Sequence, residues 1–72
     1  MPTLELSRGA TIRALRQEHA WSIRVLARQS GLHPTAVWRL EHDMGGTIEH
    51  LQKIAHALGV TAGFLLGETA ER

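Results

Sequence analysis

Residues 22–41 read SIRVLARQSGLHPTAVWRLE, and this stretch decides the fold. Ser22 is a residue whose hydroxyl accepts from free N–H groups at a helix start. Trp21 before it and Leu26 after it stand at the spacing of a hydrophobic staple. Together they predict a helix from Ile23 to Ser30. Gly31 sits where a left-handed residue ends such a helix, and Leu32 follows as the apolar residue that packs back on it. His33 then serves as a cap and Pro34 as the first helical residue, where a missing N–H costs nothing. The next helix spans Pro34 to Glu41 and buries Val37 and Leu40.

The same punctuation extends outward in both directions. Ser7 caps a helix from Arg8 to Glu18, with Ile12 and Leu15 as its buried stripe and Arg13, Arg16 and Gln17 facing out. Gly9 weakens its first turn. On the other side Asp43, Met44, Gly45 and Gly46 form a loop, and Thr47 caps a helix from Ile48 to Leu58 whose stripe is Leu51, Ile54, Ala55 and Leu58. Gly59 ends it. Thr61 caps a short helix carrying Phe64, Leu65 and Leu66, and Gly67 begins a polar tail. Period-two alternation is confined to Thr3–Leu6, so the fold class is all-α, with five helices. The expected organisation is an N-terminal arm at 1–6, one domain at 7–67 and a tail at 68–72.

At 72 residues and 43% hydrophobic, the chain holds one small core and no large catalytic cleft. It has no cysteine, which removes disulfides, thiolate metal sites and a cysteine nucleophile and fits a reducing compartment. No apolar run approaches the roughly 18 residues of a membrane span, and the N-terminus lacks a signal-peptide pattern, so the expected location is the cytoplasm and no membrane partner is expected. The net charge is only +1, but residues 1–40 carry +4 and residues 41–72 carry −3. Seven of the eight cations are arginine, whose planar fork suits phosphate and guanine, so the first half is a candidate polyanion-binding face.

The unit from Ser22 to Glu41 is two helices joined by a turn too short for antiparallel packing, a helix-turn-helix. Its second helix crosses the first and offers an outward face of Thr35, Trp38, Arg39 and His42. Trp38 points away from the stripe of Val37 and Leu40. It either presses on thymine methyls or the sugar-phosphate wall, folds over the preceding helix, or binds another protein. No catalytic triad, paired carboxylates or phosphate-cradling loop occurs in a suitable context, so neither an enzyme nor a cofactor is expected. His50 and His56 are six apart and off a common helical face, so no metal site is expected either.

In order and spacing the chain resembles the Cro/C1-type helix-turn-helix domains of phage repressors and Xre-like regulators. The resemblance covers about Ser7 to Gly67. It is carried by Ile12-Arg13-Ala14-Leu15-Arg16, by Leu26-Ala27 with Ser30-Gly31-Leu32, by Val37 with Arg39-Leu40-Glu41, by Leu51, Ile54-Ala55 and Ala57-Leu58-Gly59-Val60, and by Phe64-Leu65-Leu66-Gly67. Two features depart from the family pattern. Ile23 and Val25 stand where relatives often have glutamine and glutamate, and the loop at 43–47 has no cation.

The resemblance implies a sequence-specific, DNA-binding transcriptional regulator, in most cases a repressor, that reads a palindromic operator as a homodimer. It makes Pro34–Glu41 the recognition helix in the major groove, with Pro34, Thr35, Trp38 and Arg39 at the base edges. Arg39 is the sharpest of these, because a guanidinium bonds guanine O6 and N7 together. Phosphate contacts are expected from Ser22, Arg24, Arg28 and Thr47. Arg16 and Glu41 occupy the family's internal ion pair. Val60, Phe64 and Leu66 form the candidate dimer interface. The alternative reading is a protein-binding module on the same fold, such as an antitoxin or accessory regulator.

Overall fold

The computed structural model describes residues 7–66; the arm at 1–6 and the tail at 68–72, with Gly67, lie outside the described residues. Five helices follow one another: α1 (Arg8–Glu18), α2 (Ile23–Ser30), α3 (Pro34–Glu41), α4 (Ile48–Leu58) and α5 (Ala62–Leu65). No strand occurs among the described residues. No helix among them is long and apolar enough to cross a membrane.

Each start is fixed locally. The hydroxyls of Ser7, Ser22, Thr47 and Thr61 accept from the N–H three residues on, at 3.0–3.1 Å. At α3 the cap is an imidazole: His33 Nδ1 accepts from Thr35 N–H at 3.1 Å, ahead of Pro34 in the first turn. Helix α2 ends at Gly31 with φ +76°, and Leu32 N–H returns to the Ala27 carbonyl at 3.0 Å. That left-handed turn redirects the chain sharply enough for α3 to cross α2.

The core is Ile12, Leu26, Ala27, Val37, Leu40, Leu51, Ile54, Ala55, Leu58 and Leu65, drawn from all five helices. Helix α3 packs on α1 and α2, while α4 packs on α2 and α5 and touches α1. Leu15, expected inside with Ile12, is only partly buried and packs against the core from its rim, as does Trp21. The indole of Trp21 has instead found the His19 ring, stacked at 4.4 Å and 19°.

Gly9 has a positive reason to be glycine. A Cβ there would stand 2.6 Å from the carbonyl carbon of Glu41 and 2.7 Å from the oxygen of Leu40. The first turn of α1 therefore lies directly on the last turn of α3, and the residue that weakens α1 locally allows it to lock α3 in place.

Candidate nucleic-acid interface

Helix α3 has two faces. Val37, Leu40 and Glu41 are buried, and Pro34, Thr35, Trp38, Arg39 and His42 are exposed on the other side. The exposed residues follow from the period of the helix, since 34, 35, 38, 39 and 42 recur at three and four.

The buried end of α3 is held by charge. Arg16 of α1 grips Glu41 with both prongs, Nε to Oε2 at 2.6 Å and Nη2 to Oε1 at 3.0 Å, and gives its remaining nitrogen Nη1 to the Trp21 carbonyl at 2.9 Å. Only 1% of the Glu41 side chain is exposed. Arg13 adds a second cation 3.8 Å from Oε1. One carboxylate thus ties α1, the α1–α2 connection and α3 together, in the bidentate geometry that makes such pairs strong.

The loop after α3 is clasped as well. Asp43, with φ +57°, accepts from Gly9 N–H at 2.8 Å, and Arg8 Nη2 donates to the Gly45 carbonyl at 3.1 Å. Asp43 therefore completes the N-terminus of α1, where an anion is favoured. The Ser7 hydroxyl first, then the Gly9 N–H, with smaller help from Arg8 and His42, hold its carboxyl below its ordinary range. The sequence places this residue in a loop and carries no local sign of the clasp, because 34 positions separate it from its partner.

On the exposed face, Trp38 and His42 stack at 3.8 Å and 17°, and His42 Nδ1–H donates to the Trp38 carbonyl at 2.8 Å. The indole is 44% exposed but not free to swing. Beside it Ile23, Pro34, Thr35 and Trp38 line a shallow hollow. A second hollow lies on the other side of Thr35, walled by Ala36, Arg39, Leu40 and Met44, with His50 of α4 at its edge.

The remaining cations gather nearby. Arg24 and Arg28, one turn apart on α2, flank a third depression floored by Ala27, Leu32 and Pro34, next to the start of α3. Ser22 and Thr47 sit at the first turns of α2 and α4 as their caps. At the far end, Val60 and Phe64 are partly buried against the core, and of that set only Leu66 is largely exposed, at 47%. No group of three metal-ligating side chains occurs among the described residues.

Fold and face together define a helix-turn-helix domain, its second helix projecting an arginine and a tryptophan. The comparisons extend this: the family model described as helix-turn-helix matches residues 12–65, and the chain belongs to that Cro/C1-type family of DNA-binding regulators, which are not enzymes. No curated protein matches the sequence significantly. Among solved structures, the hypothetical transcription factor NHTF from Neisseria is 34% identical, with a TM-score of 0.77, over 92% of this chain and 80% of that one. A chain of the SinR protein/SinI protein complex is 27% identical, also with a TM-score of 0.77, over 85% of this chain. This chain spans 61% of that one, about three fifths of its length.

Proposed function

We propose that the protein is a transcriptional repressor that binds a palindromic operator in the cytoplasm as a homodimer, with α3 in the major groove. The observation that carries this reading is the exposed face of α3, where Arg39 stands beside Thr35 and Trp38 while the opposite face is locked by the Arg16–Glu41 pair. Pro34, Thr35, Trp38 and Arg39 face base edges; Ser22, Arg24, Arg28 and Thr47 face phosphates. The first turns of α2 and α4 present free N–H groups and positive dipole ends to the backbone, which makes up for a loop without cations. One short helix reads only a few base pairs, so two copies about 34 Å apart are needed for a specific site. Leu66, with the outer edges of Val60 and Phe64, is the apolar surface through which they pair.

The test is selection of bound duplexes from a random library, followed by titration of the recovered site at about 50 and 200 mM salt. The expected result is an inverted repeat with half-sites about 10 base pairs apart and affinity that falls steeply with salt. Recovery of no site overturns the proposal. A protein partner is the second reading, favoured by the exposed Leu66 and by the SinR–SinI neighbour being a protein complex. It predicts that function survives loss of Arg24 and Arg39.

A further inference from the structure

The operator-reading role proposed above leaves open which bases are read, and the face of α3 is specific on this point. It carries no asparagine, glutamine or free carboxylate. The one acid of α3, Glu41, lies on the opposite face, buried and bonded on both oxygens to Arg16. His42 has committed Nδ1 to its own helix and its ring to Trp38. The side chains that grip adenine through N6 and N7, or accept from cytosine N4, are therefore missing from this face. Arg39 is the one side chain on it that reaches a base with two hydrogen bonds, and its partner is guanine.

Beside Arg39 the face carries two hollows with mainly apolar walls. Thr35 forms a ridge between the two depressions described above, one walled by Ile23, Pro34 and Trp38, the other by Ala36, Leu40 and Met44 with Arg39 at its side. Trp38 on α3 is 44% exposed and Met44, in the loop that follows, 57%, so both offer apolar surface at the hollows. The major groove presents one apolar knob, the 5-methyl group of thymine. Arg39 lines the second hollow and Thr35 lines both, so an occupant of either lies on the same stretch of duplex as the guanine that Arg39 faces.

Resting on that reading, we propose that each half-site is read as one guanine, bonded by Arg39, with thymines beside it whose methyl groups seat in the two hollows flanking Thr35. Four residues of helix span about 6 Å and base pairs stack about 3.4 Å apart, so the guanine and the methyls fall within about three adjacent base pairs. The Trp38–His42 stack presets the wall of the first hollow before DNA arrives.

The experiment uses the full chain and the duplex recovered by selection, with thymines replaced one at a time by uracil, which removes the methyl and nothing else. Uracil at the two positions beside the guanine is expected to weaken binding about four-fold each, the worth of burying one such group. Trp38→Ala is expected to abolish the uracil effect at one position and keep the guanine preference; Arg39→Ala is expected to do the reverse. Both side chains are exposed, and a thermal melt equal to the parent's shows that the fold is intact. A recovered site bound equally well with thymine or uracil overturns this inference and leaves the repressor reading standing. Recovery of no site overturns both.

Discussion

Arg16 and Glu41, 25 residues apart, meet through two hydrogen bonds of 2.6 and 3.0 Å at the crossing of α1 and α3. The carboxylate is sealed from water and the guanidinium nearly so. Removing one partner leaves the other charge buried and alone, which costs about 3 to 5 kcal/mol. Glu41→Ala is expected to lower stability by that order and to abolish DNA binding with it, since α3 loses its anchor. Urea unfolding checks the first part, and a midpoint matching the parent's refutes it.

Gly9→Ala reverses the usual sign of such a change. Alanine in place of glycine inside a helix gains about 0.5 to 1 kcal/mol when the site is open. Here the added methyl collides with the carbonyls of Leu40 and Glu41, which are backbone and cannot turn aside. The expected outcome is a loss of about 1 to 3 kcal/mol, the range for overpacking. A stabilised variant in the same unfolding assay contradicts the close crossing.

Asp43 supplies a pH-dependent part of the stability. Its carboxyl titrates lower in the folded chain than in the unfolded one, so folding favours the ionised form. That contribution is complete above the unfolded value of about 4 and is lost as pH falls through the lower folded value. Asn tolerates the same left-handed backbone and still accepts from Gly9, but carries no charge. The melting temperatures of wild type and Asp43→Asn should therefore differ by a constant amount near neutrality and converge below about pH 4. A gap unchanged at pH 3 rules the clasp out as its source.

Arg24 and Arg39 are expected to fail differently. Arg24→Ala weakens binding to every sequence alike and reduces the salt slope by about one per subunit. Arg39→Ala leaves the slope nearly unchanged and relaxes the preference at one base pair, by about 1 to 3 kcal/mol. Titrations on the selected site and on its single-base variants separate the two. Identical behaviour of the variants contradicts the assignment of one to phosphate and the other to a base.

The elements were legible because their signals are local. Ser7, Ser22, Thr47 and Thr61 cap helices through N–H groups three residues away, and Gly31 and Gly59 end helices in the left-handed region, so neighbouring residues suffice to place these boundaries. The face of α3 was legible for the same reason, being a matter of helical period. Contacts across the fold were not. Gly9 reads as a flaw until Glu41 lies against it, and Asp43 reads as a stray anion until it meets the start of α1. The stack of Trp38 on His42 lay within reach of the sequence, at the spacing of neighbours on one helix, but two exposed rings announce no partner by themselves. Phe64 and Val60 are apolar enough to be core or interface, and the structure places them partly in the core.

The two tryptophans have an optical consequence. With no tyrosine present, near-ultraviolet emission comes from Trp21 and Trp38, and each lies against an imidazole. Trp21, wedged at the rim of the core, reports on the integrity of the helices; Trp38, on the opposite side of α3 from that core, reports on whatever approaches α3. Single replacements by phenylalanine divide the signal into a folding channel and a docking channel, and the chain needs no dye for either.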